Sequence, residues 1–96
     1  MSEKQIYQQK IQAQLDEWKA DLDKLKAKAS GASADAQLEL QKQIKVLESK
    51  LEEGRSKFAE MSDASEESWQ SIKKEMSSSW DATKAAFNDA VAKFKK

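Results

Sequence analysis

The chain contains no cysteine, no histidine and no proline, and it has only two glycines in 96 residues. Without cysteine it can form no disulfide framework and offers no thiol nucleophile and no cysteine-based zinc site. Without histidine it lacks the commonest general base and the commonest metal ligand in proteins. We therefore predict that the protein is not an enzyme, with no catalytic residues, no metal site and no cofactor.

An excess of charge of either sign is also missing, because 17 Lys and Arg balance 17 Asp and Glu. A neutral chain has no electrostatic footprint for nucleic acid, so we predict no nucleic-acid partner. No apolar run approaches the ~20 residues that a membrane-spanning helix needs. Glu3, Lys4 and Lys10 interrupt any apolar run near the start, which argues against a signal peptide. The expected location is the cytoplasm.

Large apolar residues are few, numbering 23 of the 96. This length allows one small domain, which we place over residues 1–96. A core of this size is small, and small cores usually gain stability from a partner chain or another added constraint.

The apolar residues that are present follow a helical pattern. In the first two-thirds of the chain they alternate at spacings of four and three residues, which is the seam of a coiled coil. The first stripe contains Tyr7, Ile11, Leu15, Trp18, Leu22, Leu25, Ala29 and Ala32. The second stripe contains Leu40, Ile44, Leu47, Leu51, Gly54, Phe58 and Met61.

In the last third of the chain the apolar repeat lengthens to eleven residues. Eleven residues complete three helical turns, so such a stripe hardly drifts around a straight helix. Its members are mainly aromatic or large, and they are Trp69, Ile72, Met76, Trp80, Phe87, Val91 and Phe94.

Two segments could interrupt the helices. The stronger candidate is residues 62–67, where serine and aspartate can act as N-caps and Glu66 and Glu67 suit a helix N-terminus. The second candidate is residues 30–35, where Gly31 could end one helix and Ser33 could cap the next. Against this second break, the alternating apolar spacing runs through Ala29, Ala32 and Ala36 without interruption.

We accordingly predict an all-α, elongated antiparallel hairpin. Its first helix covers about residues 4–61, the turn covers 62–65, and the second helix covers about 65–95. The alternative is a three-helix bundle with an extra break at 30–34. In the hairpin the second helix covers only half of the first. The stripe from Tyr7 to Leu25 then needs a partner chain, so the hairpin predicts a homo-oligomer of two or more chains.

Both ends of the chain resemble a family of small bacterial coiled-coil proteins, described from cyanobacteria among others. The resemblance rests on the run Gln14-Leu15-Asp16-Glu17-Trp18 and on the paired tryptophans of residues 68–95. Members are commonly labelled stress-response proteins, and some score weakly against apolipoprotein-type helical repeats. The resemblance implies a helical, stress-associated protein with a continuous first helix, and it brings no catalytic residues. Residues 30–33, Ser-Gly-Ala-Ser, depart from the Ala/Lys-rich segment of the family.

Two functions follow from these patterns, and the resemblance adds the association with stress. The first is a non-enzymatic structural or interaction protein, stress-associated, that acts through self-association and helix-face contacts. The alternative is a peripheral amphipathic protein that binds a lipid surface or a protein client through Trp69 and Trp80, which share one helix face. The predicted interaction face comprises Tyr7, Ile11, Leu15, Trp18, Leu22, Leu25, Trp69, Ile72, Met76, Trp80, Phe87, Val91 and Phe94.

Overall fold

Three α-helices make up the fold in a computed structural model that describes residues 2–93. Helix α1 spans Glu3–Ser30, α2 spans Ala34–Asp63, and α3 spans Ser68–Lys93. The helices lie side by side in a rod of 50 × 20 × 18 Å. Lys4 contacts Ser62 and Lys26 contacts Glu48, so α1 and α2 run antiparallel. Glu75 contacts Lys57 and Lys93 contacts Glu39, so α3 and α2 also run antiparallel.

Serine side chains begin each helix. Ser2 caps α1 in a reciprocal capping box. Its hydroxyl accepts a hydrogen bond from the backbone N–H of Gln5, and its own backbone N–H donates to the side-chain oxygen of Gln5. Ser33 accepts from the Ala36 amide at the start of α2. Ser65 accepts from the Ser68 amide just before α3. Each contact satisfies a backbone donor that the first helical turn leaves unpaired.

The predicted hairpin is wrong, and the three-helix alternative is confirmed. The chain turns at residues 31–33, between α1 and α2, instead of continuing as one helix over 4–61. Ser33 caps the N-terminus of α2, and the turn lets the second apolar stripe pack against the first. The apolar spacing that favours continuity comes from alanines, whose methyl groups bury too little apolar surface to hold a seam together.

The second turn also differs in detail from the prediction. Helix α2 runs to Asp63, and α3 starts at Ser68, so the turn lies at residues 64–67 and not at 62–65. Lys4 holds this end of the bundle, because its ammonium donates to the backbone carbonyls of Ser62 and Ala64 at 3.3 and 2.6 Å. A lysine from α1 thus satisfies carbonyls at the C-terminus of α2, where cations are favoured.

Both predicted seams pack inside one chain. Leu47 and Met61 of α2 and Phe87 of α3 have no exposed surface. The core continues through the first stripe, with Ile11, Leu15, Trp18, Leu22, Leu25 and Ala29 all buried. The stripe that the hairpin would leave to a partner chain is therefore covered by α2 and α3.

Gly31 offers a first test of the turn. Its φ of −102° is accessible to any residue, and a Cβ there would meet nothing within 4 Å. We expect Gly31→Ala to stabilise the protein by about 0.4–1 kcal/mol, because alanine restricts the unfolded chain without straining the folded one. Urea unfolding measures this change. A loss of stability would show that the turn needs the freedom of glycine.

Candidate functional site

The predicted interaction face lies mostly in the core. Ile11, Leu15, Trp18, Leu22, Leu25, Trp69, Ile72, Met76 and Phe87 are buried. Tyr7, Trp80 and Val91 are partly buried, and Phe94 lies outside the described residues. Trp80 therefore differs from the other two tryptophans, since both Trp18 and Trp69 are only 2% exposed. It is the tryptophan that reaches from the core to the grooves of the surface.

An aromatic cluster holds Trp80 in place. The Trp80 and Trp18 ring centroids are 4.7 Å apart with the planes tilted by 40°. Trp18 also stacks on Phe87, with a centroid distance of 5.2 Å and planes within 8° of parallel. Such offset arrangements suit the quadrupoles of aromatic rings. Trp18 is thus the centre of the cluster, and Trp80 is its outer member.

Gly54 makes room for the Trp80 ring. A Cβ at this position would lie 3.2 Å from Cζ3 of Trp80 and 3.3 Å from Cδ2 of Leu15. Carbon atoms make contact at about 3.5–4.0 Å, so the ring lies closer to α2 than any larger residue would comfortably allow. The sequence placed Gly54 in the seam but gave no sign of its partner. The one available signal was a glycine at a seam position, which indicates a close approach without naming the residue that makes it.

The α2–α3 groove opens beside this contact and has a volume of about 520 Å³. Its floor includes Met76, Trp80 and Gly54, and its lining is more apolar than polar. Charged residues along its α2 side are balanced, with Lys50 and Lys57 against Glu52 and Glu53. An apolar floor with a neutral rim suits contact with another mixed-charge protein surface.

Lys57 crosses this groove to α3. Its ammonium lies 3.3 Å from a carboxylate oxygen of Glu75 and 3.5 Å from one of Glu60. The hydrogen bond to Glu75 and the negative charges of Glu60 and Glu75 raise the pKa of Lys57. The group is fully exposed, so we assign no contribution to stability to this pair. The pair spans the rim of the groove from α2 to α3.

A second aromatic group lies near the N-terminus of α1. The Tyr7 and Trp69 ring centroids are 6.0 Å apart, and the Lys73 ammonium lies 5.0 Å from the first and 5.3 Å from the second. Both distances are within the range of cation–π attraction. Burial raises the pKa of the Tyr7 hydroxyl. Trp69 is covered by this arrangement and is not accessible to a partner.

Neither a metal site nor a membrane span is found within residues 2–93. These residues contain no group of three or more acidic side chains placed to hold a metal ion. Over the same range, no helix is long and apolar enough to cross a membrane.

Comparison with known proteins identifies no relative of this chain. No protein-family model, curated protein or solved structure matches it. The function must therefore be argued from the grooves and the aromatic residues of the bundle.

Proposed function

We propose that the protein is a non-enzymatic interaction module that self-associates through the outer face of α2 and α3. The observation that carries the proposal is the α2–α3 groove, which has the partly exposed Trp80 and the buried Met76 in its lining. Large apolar side chains beside an open groove favour contact with a protein surface. Aromatic residues are also enriched at the centres of protein interfaces.

Val46 extends this face along α2. Its side chain is 49% exposed. Val46, Lys50, Glu53 and Lys57 follow each other at spacings of four, three and four residues, so they form one stripe along the helix. Val46 lies just outside the groove, toward the N-terminus of α2, and adds exposed apolar surface to the same face.

A second copy of the chain fits the chemistry of this face. The charged residues of the groove are balanced, and the chain has zero net charge, so two copies do not repel each other. One long side of the rod measures about 50 by 20 Å. That is close to the ~800 Å² per partner that a stable interface needs. A dimer related by a two-fold axis would use the same patch on both chains.

This surface differs from the one that the sequence pattern predicts. The pattern assigns a partner chain to the stripe from Tyr7 to Leu25, which the bundle itself covers. Self-association now draws its support from the groove and from Val46. The stress association draws its support from the sequence resemblance alone.

A pair of matched variants tests the proposal. We expect Val46→Glu to weaken self-association by about tenfold or more, because the interface would have to desolvate an unpaired charge. Leu38→Glu is the control, since Leu38 is 62% exposed but lies about 80° around α2 from Val46 and is not a member of the stripe. Sedimentation velocity across a concentration series gives the association constants.

The wild type and the two variants should differ in how their mass depends on concentration. For the wild type we expect a mass that rises above 10.8 kDa with concentration. The mass of Val46→Glu should begin to rise only at a concentration about tenfold higher or more, and Leu38→Glu should behave like the wild type. A wild type that stays monomeric throughout, or an equal effect of the two variants, would contradict the proposal.

The geometry favours the alternative lipid- or client-binding function less. That function needs Trp69 and Trp80 on one accessible face, but Trp69 is buried beneath Tyr7 and Lys73. Lipid or client contact through both rings would require the bundle to open. Vesicle co-sedimentation with tryptophan emission tests it, and a blue shift on adding vesicles would favour this alternative over self-association.

A further inference from the structure

We propose that the α1–α3 groove binds a small organic anion, a carboxylate or similar group on an aromatic body. This site differs in ligand from the proposed protein contact and does not depend on it. The groove has a volume of about 300 Å³, which is the lower end of the range for small-molecule sites. Its lining combines the ring surfaces of Tyr7 and Trp80 with Ile11 and three lysines.

The α1–α3 groove has an excess of positive charge, although the protein has zero net charge. Its lining holds Lys10, Lys73 and Lys84 but a single carboxylate, Asp81. The α2–α3 groove, by comparison, is balanced. A groove between α1 and α2 is balanced too, since it is lined by Lys19, Lys26 and Arg55 together with Asp23, Glu48 and Glu52. The positive excess is therefore a property of the α1–α3 groove and not of helix surfaces in this protein generally.

The lysines of the α1–α3 groove are also accessible to a ligand. Within residues 2–93, none of their ammonium groups lies within 4.0 Å of a carboxylate. By contrast, Lys19 and Lys26 of the α1–α2 groove pair with Asp23 and Glu48 at 3.4 and 3.6 Å. A bound anion would supply these lysines with a negatively charged partner.

The Lys10–Lys73 end of the groove is better preorganised to bind an anion than the Asp81–Lys84 end. Lys73 is held over the Tyr7 and Trp69 rings, which limits the freedom that its side chain would lose on binding. Lys10 lies one helical turn after Tyr7 on α1. At the other end Asp81 lies three residues before Lys84 and offsets its charge. We therefore place the anionic group at the Lys10–Lys73 end and the aromatic body toward Trp80.

The probes are 2-naphthoate and its neutral analogue 2-naphthamide, which have nearly the same shape. We expect naphthoate to bind with a Kd on the order of 1 mM, the level typical of a ligand this small. Naphthamide should bind several-fold more weakly, because it gains nothing from the lysines. Titrations followed by amide and indole NMR signals give both affinities, and the indole signal of Trp80 should shift with naphthoate.

Two double variants, each removing two positive charges, complete the test. Lys10→Gln/Lys73→Gln should weaken naphthoate binding roughly five- to tenfold, while Lys19→Gln/Lys26→Gln should leave it unchanged. Added salt should weaken binding to the wild type, since the site is solvent-exposed. Circular dichroism melts confirm that each variant is folded before its binding is compared.

Three results would overturn the proposal. They are equal affinity for the amide and the carboxylate, equal weakening by the two double variants, and binding to anionic vesicles without binding of naphthoate. The last result would assign the lysines to a membrane surface instead of to a small anion.

Discussion

Trp18→Ala is expected to lower the free energy of unfolding by about 3–5 kcal/mol, a large share of the stability of a small domain. Trp18 is 2% exposed and contacts both Trp80 and Phe87. Removing its ring leaves a cavity at the centre of the aromatic cluster, which the three surrounding helices can close only in part. For a domain of this size the melting temperature should fall by at least about 12 °C.

Milder and neutral variants keep this prediction testable if the alanine variant does not fold. Trp18→Phe retains one ring and should show an intermediate loss of stability. Leu38→Ala removes an exposed side chain and should change stability by less than about 0.5 kcal/mol. Thermal melts followed by circular dichroism compare the three. A loss below about 1 kcal/mol for Trp18→Ala would show that the aromatic cluster does not hold the bundle together.

Gly54→Leu is expected to destabilise the protein by about 1–3 kcal/mol and to displace Trp80 from its place against α2. Even the Cβ of the new side chain would approach Trp80 and Leu15 to 3.2 and 3.3 Å. Leu15 is buried, so the ring beside the open groove must move. The Trp80 indole would then be more exposed, and tryptophan emission should shift to longer wavelength.

Gly54→Ala separates steric conflict from backbone effects. Alanine favours the helix by about 1 kcal/mol over glycine, while its Cβ requires the Trp80 ring to give by only a few tenths of an ångström. We therefore expect a net change within about 1 kcal/mol. If Gly54→Leu proved as stable as the wild type with unchanged emission, the close approach of Trp80 to α2 would be wrong.

The periodicity of the sequence was sufficient to predict an all-α chain and the residues of its apolar stripes, but not the number of helices. Residues of the second stripe such as Leu40 and Leu47 are buried. Ile11 and Leu15, which the predicted hairpin left to a partner chain, are buried within the single chain. The break at Gly31 could not be settled in the same way. Alanines continue the spacing across it, and the energy that decides between a bend and a straight helix comes from the packing of α2 on α1, which is not local in sequence.

The candidate site was harder to predict for a related reason. Trp69 and Trp80 lie eleven residues apart, so helical geometry gives them nearly the same direction. Their different exposure depends on neighbours from other helices. Tyr7 and Lys73 cover Trp69, whereas Trp80 lies over Gly54 beside an open groove. The charge excess of the α1–α3 groove likewise arises only when Lys10 and Lys73 are brought together by the fold.

The central claim is that one chain buries both apolar seams by turning at residues 31–33. Small-angle X-ray scattering, extrapolated to zero concentration, tests it most directly. The three-helix bundle predicts a maximum dimension somewhat above its 50 Å length and a radius of gyration somewhat above the 15.3 Å of its Cα atoms, because side chains and hydration add to both. A continuous helix over residues 4–61 would extend about 85 Å at 1.5 Å per residue. A maximum dimension near that larger value would contradict the claim.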